Sequence, residues 1–489
     1  MNIVLVEVSP DRNVLTVDYM PHPGLAYIAA VLEREGHLVR IVDPVSSHND
    51  INQIIKQIIE FKPRIVGFTS TTSARFATIS VIKRVKRENG AFIVSGGPHF
   101  HPTAKDAMLK VPEIDCIVKG EGERAMVEIA EAVKSNSSLG RILGIYFREN
   151  GQIVETANRP LIDDLDSLPF PAYHLFDLSR YKMCIRETNI PALGVISSRG
   201  CPNQCTFCSM TSLQKHRFRK RSPKIFLDEV EYLQKRYGYS GFLFNDDTLT
   251  MDRSHIDAIC QGILSRKLNI VWSSLARVNT VDRKILYLMK KAGCCHVTYG
   301  VESGSDITLR SLKKNITVAQ ARTAVAMTAE IGIQFDALFI LSLPGETMQE
   351  ANKTINLINE FSRIPRSRSI YAFTFIYPGT EVENQAFKEG ILPADFSWNT
   401  EYKKSVYSVL GADPSIPCWE APALPLKDLK AMIFKSRPLS VKLNQILRKL
   451  LNLRIEDIFF AMRIFFRAFT IDKKTAYAEN QAAKDKQIT

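Results

Sequence analysis

The 489-residue chain has no uninterrupted apolar stretch of the length that crosses a bilayer, so no spanning helix is expected. It also lacks a basic leader with a small-residue cleavage site. The opening MNIVLVEVSP reads instead as a first β-strand, which predicts a cytoplasmic protein. Cysteines number only nine, an odd count, and most have no paired spacing. In a reducing compartment that argues against a disulfide framework and for metal ligands or buried thiols. Acidic residues are outnumbered, 51 Asp and Glu against 64 Lys and Arg, a net charge of +13. Residues 424 to 489 hold 14 basic and 6 acidic side chains, an excess of 8 out of 13, so the basic character belongs mostly to the tail. There are no repeats and no low-complexity tract apart from a polar terminus.

What is present is the composition of a globular protein, 45% hydrophobic and 24% charged, long enough for two or three domains. Over residues 1–137 short β-branched runs (NIVLVEV, LVRIVD, RIVGFTS, FIVSGG, DCIVKG) alternate with helical patterns, which predicts an α/β domain, Rossmann-like and doubly wound. Its ligand is expected over the carboxyl ends of the strands, at FTSTTS, SGGPHF and KGEGE. Residues 138–190 read as a linker containing a hairpin, GIYFRENGQIVE, and a Pro-containing connector. Six further strand and helix units over 191–388 predict a partial (β/α)6 barrel with its site at the C-terminal strand ends. Residues 389–489 are expected to form a basic, helical C-terminal extension.

The first barrel strand leads into CPNQCTFC, which places Cys201, Cys205 and Cys208 within eight positions and offers no fourth cysteine nearby. That span reaches at most about 25 Å when extended, so a curled loop brings the three thiols together. Structural zinc calls for a fourth Cys or His, and the nearest histidine, His216, lies in a basic run. A 4Fe-4S cluster on three thiolates with one open iron fits better than zinc.

With this spacing, and an aromatic just before the third cysteine, the chain resembles the radical S-adenosylmethionine (SAM) superfamily. The resemblance implies that Cys201, Cys205 and Cys208 are the catalytic cluster ligands. It further implies that the amino and carboxylate groups of SAM chelate the open iron, and that one electron cleaves SAM to a 5′-deoxyadenosyl radical. Phe207 is then expected against the adenine, a packed loop aromatic being the alternative. FLFNDDTLT resembles the second-strand motif, so Asp246 and Asp247 are expected at the SAM amino group or the substrate, a helix N-cap being the alternative. WSSLARVNTVD places Arg277 near the SAM carboxylate, with a surface ion pair as the alternative. YGVESGS gives Glu302 and Ser303 for the ribose and methionine portion, the alternative for Glu302 being a buried structural acid. In FILSLPGET, Ser342 stands where glycine is commoner. The basic run KHRFRKRSP is read as a solvated or cofactor-facing loop in preference to a nucleic-acid surface.

The order of a Rossmann-like domain before the barrel resembles the cobalamin (B12)-binding branch of that superfamily, over nearly 390 residues. The resemblance implies a cobalamin site built from Thr69, Ser70, Thr71 and Thr72 beneath the cobalt face. Gly96, Gly97, Pro98, His99, Glu121 and Gly122 would surround the ligand, while Glu121 and Glu123 could equally cap the following helix. The Asp-x-His-x-x-Gly motif of other B12 proteins is absent, and DYMPHPG has the wrong spacing. His99 and His101 are the remaining loop histidines, and cobalamin without a protein histidine on cobalt is expected.

The combined resemblance implies a methyltransferase acting on an unactivated carbon through the adenosyl radical and methylcobalamin. A radical cyclase or rearrangement enzyme without methyl transfer is the alternative, and a non-catalytic cobalamin-binding protein is the reading from another class. Hydrogen-atom abstraction needs no Ser-His-Asp or paired-carboxylate constellation, and none is evident. The expected partners are a small-molecule or lipid-like substrate and an external electron donor such as flavodoxin or ferredoxin, with nucleic acid disfavoured. The lipid reading rests on the tail, where IEDIFFAMRIFFRAF carries Arg463 and Arg467 one turn apart behind a basic helix. Such a pair suits peripheral contact with an anionic membrane, against packing on the barrel or in a dimer.

Overall fold

Parallel strands that are apolar on both faces stay folded only under helices on each side, and the N-terminal region is built that way. A computed structural model describes residues 1–9, 19–186, 188–402, 415–420 and 423–436. Strands β1 (Asn2–Glu7), β2 (Leu38–Val42), β3 (Ile65–Thr69), β4 (Phe92–Gly96) and β5 (Cys116–Val118) are parallel and ordered β2-β1-β3-β4-β5. The order reverses between β1 and β3, which opens a crevice at their carboxyl ends. Local signals place the connecting helices. Asp50 caps Ile51–Glu60 through the amides of Asn52 and Gln53, and Gly90, at φ 69°, ends Arg75–Asn89.

The hairpin assigned to a linker belongs instead to this sheet. Strands β6 (Ile145–Glu149) and β7 (Gln152–Glu155) continue it antiparallel beyond β5. The three-residue β5 would otherwise leave its outer backbone groups unpaired, and β6 satisfies them. After the hairpin, three short 3-10 turns between Leu165 and Arg180 carry the chain to the second sheet.

There, β8 (Ala192–Val195) begins a six-stranded parallel sheet, after which β9 (Ser198–Arg199) and β10 (Arg219–Lys220) pair as a short antiparallel ribbon flanking the cysteine loop. The sheet continues with β11 (Gly241–Phe244), β12 (Val271–Ala276), β13 (Cys294–Glu302), β14 (Gln334–Leu341) and β15 (Ser367–Phe373). The order is β15-β14-β13-β12-β11-β8, the sequential arrangement expected of a partial barrel. Its outer face is packed under helices. Phe244 meets Phe226 edge-on at 5.1 Å and stacks on Trp272 at 4.6 Å, and Tyr299 is hydrogen-bonded to Thr328 at 2.8 Å.

Beyond the sheet, residues 389–402 are irregular and dock on the N-terminal domain, where a helical extension was expected. Buried Arg75 donates to the carbonyls of Trp398 (2.7 Å), Thr72 and Ser415 and to the Tyr402 hydroxyl. Asp106 accepts from the Asn399 amide group at 2.8 Å and the Ser397 hydroxyl at 2.9 Å. The helix Leu426–Ser436 is the last described element. The aromatic and basic segments read as membrane-active, including Arg463 and Arg467, lie outside the described residues. Among the described residues no helix is long and apolar enough to cross a membrane.

Candidate active site

The carboxyl ends of the two sheets share one cavity of about 360 Å³. From the N-terminal domain it is lined by Thr69 after β3, Gly96, Gly97 and Pro98 after β4, and Glu121 and Gly122 after β5. From the second sheet come Ser198, Arg199, Asn245 and Asp247. Glycine is required at the tightest point. Gly97 has φ +85°, and a Cβ there would lie 2.3 Å from the Thr69 hydroxyl oxygen.

Several residues expected at this ligand face elsewhere. Ser70 is buried against Thr78 at 3.0 Å, and the Thr71 hydroxyl bonds to Ser73 at 3.0 Å. Thr72 is buried beside His99, whose Nδ1 lies 3.4 Å from the Thr72 hydroxyl and whose Nε2 lies 3.2 Å from Asn399 Oδ1. His99 is fully buried. Burial, reinforced by the Arg75 charge, lowers its pKa to about 3, so the ring is neutral and both nitrogens are occupied. His101 Nδ1 accepts the Gly120 amide at 2.9 Å, and burial lowers its pKa as well.

Glu121 and Glu123 do not act as helix caps, since Glu121 occupies the N-cap position of Gly122–Ser135 without a side-chain cap bond. Glu121 accepts from Arg199 (2.9 Å), Arg219 (2.9 and 3.0 Å) and the Ile162 amide (2.7 Å), while Glu123 takes the other Arg199 nitrogen at 2.7 Å. Burial pushes the Glu121 carboxyl up, but the hydrogen bond and charge of Arg219 and the charge of Arg199 outweigh it and hold the group below its ordinary value. Three more side chains of the basic run are paired: Arg217 with Asp163 (2.8 Å), Lys220 with Asp252 (2.5 Å) and Arg221 with Glu229 (2.6 Å). Arg199 and Arg219, through Glu121 and Glu123, tie the segments flanking the cysteine loop to the N-terminal domain, while Lys220 and Arg221 pair with acids at the helices of the second sheet.

At the cysteine loop the three thiols converge. Burial raises the Cys208 pKa, and Cys205, Asp247 and Cys201 add repulsion. Polar hydrogens face the sulfurs: Asn203 Nδ2 lies 3.1 Å and the Thr248 hydroxyl 3.9 Å from Cys201 Sγ, and Arg277 Nη1 lies 3.9 Å from Cys205 Sγ. Gly200, at φ +88°, donates its amide to Asp247 at 2.7 Å and starts the loop. Among the described residues no set of three His, Cys, Asp or Glu side chains is gathered closely enough to hold a single metal ion. His216 bonds to the Asn203 carbonyl at 3.2 Å and supplies no fourth ligand.

Next to Cys205 lies a group of four side chains, of which the sequence pointed to three. Arg277 also donates to the Lys314 carbonyl. Lys314 Nζ, nearly buried, bonds Glu302 Oε1 at 2.7 Å and sits 5.8 Å from the centre of the Phe207 ring. Lys314 lies in a charged stretch, RSLKKNIT, that carries no motif, so its role was not legible. Ser303 and Asp246 stand apart from this group. Ser303 bonds to Thr354 at 3.1 Å and accepts the Ser305 amide. Asp246 accepts the hydroxyls of Ser197 (2.7 Å) and Ser198, pinning the end of β8 to the end of β11. Burial raises its pKa to about 6 despite those bonds.

Comparison with known proteins accords with this arrangement. The model of the B12 binding domain matches residues 13–130, and that of the Radical SAM superfamily matches residues 195–358. The uncharacterized methyltransferase PH0819 of Pyrococcus horikoshii is 35% identical over 373 residues, covering 76% of this chain and 80% of its own length. The chain belongs to the B12-binding radical SAM family. Within that family, the anaerobic magnesium-protoporphyrin IX monomethyl ester cyclase of Rubrivivax gelatinosus is 29% identical over 70% of this chain and 62% of its own length. The radical SAM methyltransferase TsrM of Kitasatospora setae, solved with cobalamin and a 4Fe-4S cluster bound, shares the fold. It covers 90% of this chain and 91% of its own at a TM-score of 0.73 and 17% identity.

The residues present fit the family's cofactors. Three thiols flanked by Asn203, Thr248 and Arg277 donors suit thiolate ligation of a cluster. The cavity between the strand ends, where Gly97 lets backbone come close and Leu25, Ile28 and Met126 form an apolar wall, suits one face of a large flat macrocycle whose polar rim reaches beyond it.

Proposed function

We propose that the chain is a cobalamin-dependent radical SAM methyltransferase that alkylates an unactivated carbon of a small, lipid-like molecule. The observation that carries the reading is the shared cavity, which sets the glycine loops of one domain against the strand ends beside the cysteine loop of the other. When bound, the cluster and SAM supply hydrogen-atom abstraction and cobalamin supplies the methyl group.

The chain's own residues have positioning tasks. Cys201, Cys205 and Cys208 would hold the cluster. Phe207, Arg277, Glu302 and Lys314 would orient SAM, Lys314 and Arg277 by charge and Phe207 by stacking. Thr69, Gly96, Gly97, Pro98 and Gly122 would cradle cobalamin. His99 would contribute only through packing, which favours cobalamin without a protein histidine on cobalt. The Glu121, Arg199, Glu123 and Arg219 network would fix the spacing between the two cofactors and exclude water from between them. An external one-electron donor such as flavodoxin or ferredoxin is required, in the cytoplasm. The relative named as a methyltransferase supports methyl transfer.

The cyclase relative favours one second reading, a radical ring closure without methyl transfer. Anaerobic purification with iron, sulfide and hydroxocobalamin, followed by incubation with methyl-labelled SAM and candidate lipid extracts, separates the two. Label in a new product is expected. Deoxyadenosine formed without transferred label would overturn the methyltransferase reading.

A further inference from the structure

Reducing an iron-sulfur cluster adds one electron and moves no bond or proton, so the cluster and its thiolates become one unit more negative. A hydrogen bond donated to a ligand sulfur strengthens in that state, and the donors around the thiolates therefore help to set the reduction potential. The three thiols here are unequally served. Cys208 takes the backbone amide of Met210. The Thr248 hydroxyl faces Cys201 Sγ at 3.9 Å, but its single hydrogen is better placed on the Asp247 carbonyl, 2.6 Å away. Arg277 approaches Cys205 Sγ only to 3.9 Å and is also bonded to the Lys314 carbonyl. Asn203 Nδ2 is the closest of these side-chain donors, 3.1 Å from Cys201 Sγ.

Asn203 is also fixed from both sides. Pro202 locks its own φ and disfavours a helical Cys201, which stiffens the Cys-Pro-Asn unit whose donor and acceptor stand two residues apart. From the solvent side His216 Nδ1 lies 3.2 Å from the Asn203 carbonyl, and a nitrogen facing that oxygen must carry the hydrogen. The turn that delivers the ring is unfavourable by itself. Lys215 and His216 are successive non-glycine residues in the left-handed region, at φ 50° and 56°. Surrounding contacts hold it. A Cβ on Gly200 would lie 2.0 Å from the Arg217 carbonyl oxygen, so only glycine lets the turn come this close to the cysteine loop, and Arg217 pairs with Asp163 at 2.8 Å. Backbone kept in a sparsely populated region beside a cofactor loop points to a task for the side chain it presents.

We propose that Asn203, by donating to Cys201, raises the reduction potential of the cluster, and that His216 is the positioning residue that keeps the amide there. The inference rests on the radical SAM reading for the presence of the cluster, and it holds whether the reaction transfers methyl or closes a ring.

The test uses the full chain reconstituted anaerobically with iron and sulfide, without SAM. Its cluster is titrated with dithionite against redox mediators and followed by the EPR signal of the reduced state. The bond exists in both states and only its strengthening counts, so Asn203→Leu, which removes the donor and keeps water out, should lower the equilibrium constant for reduction roughly three- to tenfold, about 28 to 59 mV. Asn203→Asp keeps the shape, serves if leucine costs the cluster, and should lower the potential further, since a negative charge replaces the donor. His216→Phe leaves the amide but frees it, and a smaller fall is expected. Gln204→Leu, an apolar change at an exposed neighbour, should leave the potential where it is. Iron and sulfide content and circular dichroism confirm the cluster and the fold of each variant. A potential unmoved by both Asn203 substitutions, or lowered as far by Gln204→Leu as by Asn203→Leu, would overturn the proposal. Native protein that takes up no cluster would instead count against the radical SAM reading itself.

Discussion

His99 offers a quantitative check on how the N-terminal domain is built. The imidazole is fully buried among Thr72, Asn399 and the Arg75 charge, and its pKa falls from the ordinary 6.5 to about 3. In the unfolded chain the same ring takes up a proton as pH falls below 6.5, while the folded protein resists it down to about 3. Between those values the unfolded state binds more protons. The stabilisation is thus fully present above pH 6.5 and is lost progressively as pH falls toward 3. Lowering pH from 7.5 to 5.0 should remove about 2 kcal/mol through this one group. His99→Gln keeps hydrogen-bonding capacity at the site but does not titrate there. Urea denaturation of both proteins at the two pH values isolates the effect, because His255 and other groups contribute equally to each. The variant should lose about 2 kcal/mol less than the native protein over that interval. Equal losses would refute the buried, neutral histidine. Cobalamin bound to the variant should also give an unchanged cob(II)alamin EPR spectrum, whereas a changed axial signature would place His99 on cobalt.

Three further outcomes follow from named contacts. Glu121→Gln leaves Arg199 and Arg219 short of a buried counter-charge and should cost about 3 to 5 kcal/mol, read as a lower melting temperature and weaker cobalamin uptake; unaltered melting would contradict the ion-pair account. Lys314→Met removes the cation beside Phe207 and should weaken the SAM-induced change in the reduced-cluster EPR signal by tenfold or more in SAM concentration, as expected for loss of a charge-assisted contact. An unchanged titration would remove Lys314 from the SAM site. Ser342→Gly relieves a left-handed φ of 63° but loses the bond from the Ser342 hydroxyl to the Trp419 carbonyl at 2.9 Å. The two effects are each about 1 kcal/mol and opposite in sign, so melting should move by no more than a few degrees.

Much of the architecture was legible because periodicity is local. Runs such as RIVGFT and FIVSG, spaced by amphipathic helices, dictate parallel strands wherever they fold, and the five N-terminal and six barrel strands lie where those runs fall. The hairpin at 145–155 was equally visible as a hairpin, but not its attachment. Which sheet edge it joins depends on the unpaired side of β5, a property of the assembled sheet. The three cysteines were legible as a set because eight positions of chain limit how far apart their thiols can stand.

The remainder was set by contacts between residues far apart in the chain. Thr69 reaches the cavity while Ser70, Thr71 and Thr72 turn away, a division decided by strand pleat and by the helix that follows. Glu121 read either as a cofactor contact or as a helix cap until Arg219, 98 residues later, claimed its carboxylate. Lys314 gained significance only because the short helix Asp306–Ser311 that follows β13 returns the chain over Phe207. The sequence by itself determined the strands, their helices and the thiol triplet, because hydrogen bonding and side-chain alternation act over a few residues. Only the tertiary structure decided which side of each loop faces the cavity and which buried charges find partners, because those depend on where distant segments meet.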